Sequence, residues 1–445
     1  GSGVMGSRIA CHFANIGVSV LLLDIAPKEL TPEEEKKGLK LDAPVVRNRI
    51  VNSALQAAIV ANPSPLYRKS EASRIKTGNF DDNLKDIAGC DWTIEVVVER
   101  LDIKKSLYER VEQFRKKGTL ITSNTSGIPI HLLAGGRSED FKQNFCGTHF
   151  FNPPRYLKLL EIIPTPDTKA EVVDFLVHYG DLYLGKTTVL AKDTPGFIAN
   201  RVGVFALLDA MKVMQQLGLT VEETDKLTGP VIGHAKSATL RTSDVVGLDT
   251  TINVANGLAQ GLPHDEAKDV FELPDFIKKM GESKWLGDKT GQGFYKKVKG
   301  EGGKSEIHAL DLGTMEYKPS QKVKFATLEA TKTIEKLADR FKVLVAGKDK
   351  AGEFYRLSFG GLFAYVSNRV PEIADQLYKI DDALRAGFGW ELGPFETWDA
   401  LGVQAGIDLA QAAGRTVAPW VTEMLAAGHA TFYKVSAAGA RAFYD

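Results

Sequence analysis

Apolar positions follow two rhythms along this chain. Near its start, Ser7 to Ala14 carries Ile9 and Phe13 four residues apart, the spacing of a helix face. The run Val18-Ser19-Val20-Leu21-Leu22-Leu23 that follows is almost wholly apolar and ends in Asp24, as a buried parallel strand does. Trp92 to Val98, ending in Glu99, and Gly118 to Ser123 read as further strands, with a helix between them that has Lys104 near its start. Residues 28–90 read as an insertion of helices: Glu33 to Lys40 is highly charged and Ala43 to Val60 has the helical period. This alternation predicts an α/β fold with a doubly wound, Rossmann-type parallel sheet at the N-terminal end.

The rhythm changes at Gly147–Ile163. Asn152-Pro153-Pro154 punctuates two apolar runs, which predicts an antiparallel hairpin. Folding about Arg155 sets His149 opposite Glu161, with Cβ atoms about 5 Å apart. A carboxylate there orients an imidazole and stabilises its protonated form, which builds a general base. Ser123-Asn124-Thr125-Ser126-Gly127 lies at the C-terminal end of a strand, where open α/β sheets bind ligands. In Lys192 to Val202, Asp193 or Thr194 caps a long helix with Pro195 in its first turn, running to about Leu217. Asn200 lies one to two turns in. It is polar on an apolar helix, so it either satisfies a buried partner or meets a ligand.

The second half is helical and repeats itself weakly. Ile198 to Val202 resembles Val366 to Val370, and Thr242 to Gly247 resembles Thr397 to Gly402. Two repeated all-α domains follow, and the division expected is 1–191, 192–297, a connecting region 298–351, and 352–445. Lys296 to Lys304 is rich in Gly and Lys and reads as an exposed linker. Asn368 mirrors Asn200 but has no second set of catalytic partners, so a structural role is expected.

Composition narrows the class. With 445 residues the chain suits about three domains, and 44% hydrophobic with 25% charged residues is ordinary globular usage. The 56 basic and 56 acidic residues cancel, so no net field favours nucleic acid or a membrane surface. No apolar run approaches the ~20 residues of a membrane span. The three cysteines, Cys11, Cys90 and Cys146, are scattered, which argues against a disulfide framework or metal site and for a reducing, cytoplasmic setting.

The opening Gly1-Ser2-Gly3-Val4-Met5-Gly6 is a GxGxxG motif leading into the first helix. Gly1 permits the tight turn, Gly3 lets the backbone approach a pyrophosphate, and Gly6 lets helix and strand pack closely. The helix N-terminus presents free N–H groups to the phosphates. Asp24, 18 residues after Gly6, can accept hydrogen bonds from the adenosine ribose and would repel a 2′-phosphate, favouring NAD over NADP. Such a fold places a strand ahead of the motif, so a short apolar strand before Gly1 is expected in the natural protein; a cloning scar at Gly1-Ser2 that completes the motif is the alternative.

Together, GSGVMG, Asp24, Glu99 with Lys104, SNTSG, GTHFFNPP, LLEIIPT, KDTPGFIANRV and KTGQGFYKK resemble the 3-hydroxyacyl-CoA dehydrogenase family over most of the chain. The resemblance implies that His149 takes the 3-hydroxyl proton of an acyl-CoA thioester while hydride passes to NAD, with Glu161 as its partner. Ser126 and Asn200 would hydrogen-bond the reacting oxygens. Gly1, Gly3, Val4, Met5, Gly6 and Asp24 would hold the cofactor, and Glu99, Lys104 and Asn124 would meet its nicotinamide side; no metal is implied. Gly393-Pro394-Phe395-Glu396 survives only in the second helical copy, while that region of the first reads Gly233-His234-Ala235-Lys236-Ser237-Ala238-Thr239-Leu240-Arg241. That divergence resembles the two-copy branch often fused to an enoyl-CoA hydratase. Two copies in one chain imply a monomeric core built as an internal pseudo-dimer. Two other readings stand beside this one: a β-hydroxyacid dehydrogenase, which would use a lysine and lack HFFNPP, and a non-catalytic NAD-binding relative.

Overall fold

In the computed structural model, residues 1–300, 304–436 and 439–445 are described. They fall into two compact units, Gly1–Phe197 and Ile198–Asp445. In the first, β1 (Val20–Asp24) pairs in parallel with β2 (Ile75–Asn79), Asp24 opposite Asn79. A five-stranded sheet follows the order β3-β4-β5-β6-β7: Trp92–Glu95, Leu120–Ser123, Phe145–Phe150, Leu159–Pro164 and Thr187–Leu190. Only the β5–β6 pairing is antiparallel.

The helix Val4–Asn15 is buried on two sides because its small residues face one way and its large ones another. Ile9 and Phe13 pack with Phe150, Leu160 and Ile162, while Ala10, Cys11 and Ala14 pack against Leu22, Leu55 and Ile75. Ile9 and Phe13 therefore anchor the helix to the two strands that carry His149 and Glu161.

The structure corrects three sequence expectations here. Residues 28–90 hold a strand as well as helices, since Ile75–Asn79 extends β1. The second strand stops at Glu95 rather than running to Val98: the Glu95 carboxylate accepts a hydrogen bond from Val97 N at 2.6 Å, which bends the chain away from the ladder. The long helix begins at Ala199, not near Asp193. Gly196 and Phe197 have φ of 74° and 51°, left-handed values that a helix start cannot contain. Asp193 instead accepts from Ile130 N at 2.7 Å and His131 N at 2.9 Å, capping a different helix, Ile130–Ala134. Asn200 is therefore the second residue of its helix, not one to two turns in.

In the second unit two 19-residue helices, Ala199–Leu217 and Lys350–Asn368, pack together. Phe205 and Tyr365 stack between them with centroids 3.8 Å apart and planes within 4°. Each half carries one repeated device. Asp225 accepts from Leu240 N and from the Tyr295 hydroxyl at 2.8 Å; Asp381 accepts from Phe395 N and from the Tyr433 hydroxyl at 2.7 Å. Asp244 accepts from Phe294 N and Tyr295 N, as Asp399 does from Phe432 N and Tyr433 N. Gly247 and Gly402 then turn the chain at φ of 102° and 100°.

Thr242–Gly247 and Thr397–Gly402 thus occupy matching places. The other sequence match does not: Ile198–Val202 opens one long helix, whereas Val366–Val370 closes the other. The expected linker also contributes to a sheet. Tyr295–Lys299 is a strand paired antiparallel with Ser305–Asp311, which pairs in turn with Glu316–Pro319. Residues 301–303 of that stretch lie outside the described residues.

Candidate active site

The β5–β6 ladder sets His149 directly opposite Glu161. The imidazole Nδ1 lies 2.7 Å from Glu161 Oε2, with His149 4% exposed and Glu161 fully buried. An ionised carboxylate only accepts, so Nδ1 carries the proton, and Nε2 of the neutral ring is left as an acceptor. Nε2 lies 3.1 Å from Ser126 Oγ, whose hydroxyl can donate to it. Phe151 and Phe197 place their rings 4.5 and 5.7 Å from the imidazole, excluding water from its sides.

The loop bearing Ser126 is held by Glu99. One carboxylate oxygen of Glu99 accepts from Thr125 Oγ1 at 2.5 Å, Ser126 N at 2.9 Å and Gly127 N at 3.2 Å. Burial opposes the charge on Glu99, but Lys104 and these donors outweigh it and hold its carboxyl below the ordinary range. Lys104 itself is 1% exposed. Its ammonium lies between Glu99, at 3.2 Å, and Glu95, at 2.8 and 3.0 Å. Glu95 also accepts from Ser123 Oγ and Tyr108 Oη. Lys104 therefore lies beneath the loop, charging Glu99 from below. Asn124 Oδ1 accepts from Phe150 N at 2.8 Å, tying the loop to the end of β5.

Four groups of this cluster escaped the sequence reading: Glu95, Thr125, Phe151 and Phe197. Glu95 had a signal, a lone acid inside the apolar run Thr93-Ile94-Glu95-Val96-Val97. Asn200 belongs to the second unit, where it stands in the first turn of the Ala199–Leu217 helix.

The glycine loop fits a dinucleotide. A Cβ on Gly1 would strike the Val96 carbonyl, and one on Gly6 would strike the Gly1 carbonyl, whereas one on Gly3 would meet nothing within 4 Å. Gly1 and Gly6 are thus fixed by packing, and Gly3 faces the open side where a phosphate would lie. Gly3 is the N-cap of the Val4–Asn15 helix and offers no side chain to its N–H groups, and no acidic residue stands in the first turn. Val4 is 61% exposed above this opening and Met5 is half-buried. Asp24 sits at the C-terminal end of β1, accepting from Ser2 N and Ser2 Oγ at 2.5 and 2.6 Å. Ribose hydroxyls are donors of the same kind.

A dinucleotide grip on a parallel sheet, a buried imidazole–carboxylate pair and appended helical repeats define an NAD-binding dehydrogenase class. Comparison with known proteins narrows it. Residues 1–194 match the family model "3-hydroxyacyl-CoA dehydrogenase, NAD binding domain", and residues 196–297 match "3-hydroxyacyl-CoA dehydrogenase, C-terminal domain". A probable 3-hydroxyacyl-CoA dehydrogenase of Bacillus subtilis is 46% identical over the whole of this chain, which spans 56% of that protein's length. Another from Deinococcus radiodurans is 45% identical over 68% of this chain and 82% of its own length. The solved 3-hydroxybutyryl-CoA dehydrogenase of Escherichia coli K12 shares the fold over 96% of this chain and 98% of its own, with a TM-score of 0.64 at 21% identity. The chain belongs to the 3-hydroxyacyl-CoA dehydrogenase family of NAD-dependent oxidoreductases.

Proposed function

We propose that this chain oxidises (S)-3-hydroxyacyl-CoA thioesters to 3-oxoacyl-CoA with NAD, as in fatty-acid β-oxidation. The observation that carries this reading is the Ser126–His149–Glu161 line, in which Nε2 is aimed at a hydroxyl while Nδ1 is committed to a buried carboxylate. His149 Nε2 takes the proton of the substrate 3-hydroxyl. Glu161 stabilises the imidazolium that results. Ser126 and Asn200 donate to the reacting oxygens without adding charge. Bound NAD supplies the acceptor for the hydride leaving C3. Glu99, with Lys104 beneath it, keeps the Ser126 loop in place; this loop and Asn124 line the nicotinamide side.

The helical repeats complete the proposal. Residues 192–297 and 352–445 act as two copies of one domain about the connecting segment 298–351, and the second copy covers the face that a partner subunit would otherwise cover. Phe205 against Tyr365 supports this, as does the buried pair of Arg201 and Asp265, 2.6 Å apart, with Tyr365 Oη 2.5 Å from Arg201 Nε. A monomer in sedimentation is expected. No described helix is long and apolar enough to cross a membrane, and Cys11, Cys90 and Cys146 are unpaired, in keeping with a cytoplasmic enzyme.

The test is NADH absorbance with acetoacetyl-CoA. Oxidation of NADH with little oxidation of NADPH is expected. Tight NADH binding without turnover on any 3-oxoacyl-CoA would overturn the substrate assignment and leave the cofactor assignment standing.

A further inference from the structure

One cation beside the glycine loop has no part in the site described so far. Arg8 follows Val4 by four residues on the Val4–Asn15 helix, so the two share a face one turn apart. Helix side chains lean toward the N-terminus, the end at which Val4 is exposed and Gly3 has open space beside it. Arg8 is half-buried, and no acidic side chain pairs with it among the described residues. Among the described residues its side-chain hydrogen bond goes to a neutral partner: Nη1 donates to Asn152 Oδ1 at 2.7 Å. A guanidinium has five donors, so most of this group's capacity is free for an acceptor.

Asn152 is as informative as Arg8. It stands in the turn joining β5 to β6, three residues after His149. Two other cations pin the same turn. The Lys186 ammonium donates to the Pro154 and Leu157 carbonyls. Arg155 donates to the Ser64 and Leu66 carbonyls at 2.7 and 2.8 Å. Arg8 alone reaches the turn from the nucleotide-binding helix.

We propose that Arg8 is a pyrophosphate-binding residue of this chain. A guanidinium matches two phosphate oxygens at once, and the helix N-terminus supplies N–H groups to the same anion. The inference rests on the glycine loop being the pyrophosphate grip.

The test is titration of the full chain with NADH, followed by fluorescence over a range of salt concentrations, for wild type, Arg8→Met, Arg8→Lys and Asn152→Ala. Arg8→Met is expected to weaken NADH about tenfold or more and to flatten its salt dependence, because a charge-assisted contact is lost. Arg8→Lys should recover part of the affinity. Asn152→Ala removes the same hydrogen bond but keeps the cation, so its NADH affinity should stay within about threefold of wild type, which separates phosphate binding from hairpin support. Arg8→Met that binds NADH like wild type with the same salt slope overturns the proposal. Equal weakening in Arg8→Met and Asn152→Ala does so too, and assigns Arg8 to the hairpin alone. Failure of the wild type to bind NADH would instead bring down the grip on which the inference rests.

Discussion

His149 and Glu161 face each other across one rung of an antiparallel ladder, 2.7 Å apart, and the carboxylate has no exposure to water. Because Glu161 can only accept, it fixes which ring nitrogen is basic. Glu161→Gln can donate as well as accept, so it removes both the charge and the tautomer preference. A fall in kcat of about 10²-fold or more is expected, as for loss of general-base assistance. The measurement is kcat against pH for acetoacetyl-CoA reduction and for oxidation of the hydroxyacyl product. His149→Gln should lose as much or more while NADH affinity stays near wild type. Turnover close to wild type in either variant would remove the pair from the chemistry.

Asp24 bears on cofactor choice. Its carboxylate accepts from Ser2 N and Oγ at the end of β1, and a 2′-phosphate there would meet a like charge. Asp24→Ser is expected to shift the NADPH-to-NADH affinity ratio toward NADPH by about tenfold or more, read by parallel fluorescence titrations. An unchanged ratio would place discrimination elsewhere.

Asp209 should give the second unit a pH-dependent stability. It lies on the Ala199–Leu217 helix near Gly361 of the other long helix, 8% exposed. Burial pushes its carboxyl up to about 7, with Asp269 adding to the rise and Arg415 and Lys212 opposing it. The folded state then holds a proton that the unfolded state releases near pH 4. The stabilising contribution is whole below pH 4 and is lost as pH rises through 7. Asp209→Asn should therefore gain on wild type between pH 4 and pH 7, by a few kcal/mol in order of magnitude, and then level off. Hydrogen exchange of the Ala199–Leu217 helix at pH 4.5 and 7.5 reads this, and a difference that does not grow with pH would contradict it.

The two aspartate–tyrosine devices invite a paired test. Tyr295→Phe and Tyr433→Phe each strip one hydrogen bond from a carboxylate, half-buried Asp225 or buried Asp381. Each should cost about 1–3 kcal/mol in chemical denaturation. A clear cost in one copy and none in the other would show that the second tyrosine is only a structural echo.

The hairpin bearing His149 and Glu161 was legible because Asn152-Pro153-Pro154 marks the turn and the period of two fixes the register. The glycine loop was legible because backbone packing at Gly1 and Gly6 admits no other residue. What stayed hidden was tertiary. Asp193 and Pro195 carry the local signature of a helix start, yet the Asp193 carboxylate caps a helix more than sixty residues earlier in the chain. The strand Ile75–Asn79 escaped because Lys76, Gly78 and Asn79 dilute its β-propensity, and only pairing with β1 defines it. The Glu95–Lys104–Glu99 support of Ser126 joins one stretch of chain to a loop more than twenty residues further on, a contact that local spacing does not show. The repeat at 198 and 366 rested on a five-residue likeness, whereas the equivalence in space rests on carboxylates and tyrosines far apart in sequence.

The internal duplication changes how this protein can vary. In a symmetric homodimer every substitution at the contact acts twice, once from each side, so the two faces drift only together. In the proposed internal pairing the facing copies are separately encoded. Phe205 can change without Tyr365 changing, and Ala238-Thr239-Leu240-Arg241 stands against Asp225 where Gly393-Pro394-Phe395-Glu396 stands against Asp381. Their pairing is also unimolecular and does not weaken on dilution. One half is thereby free to specialise toward chemistry while the other keeps the scaffold.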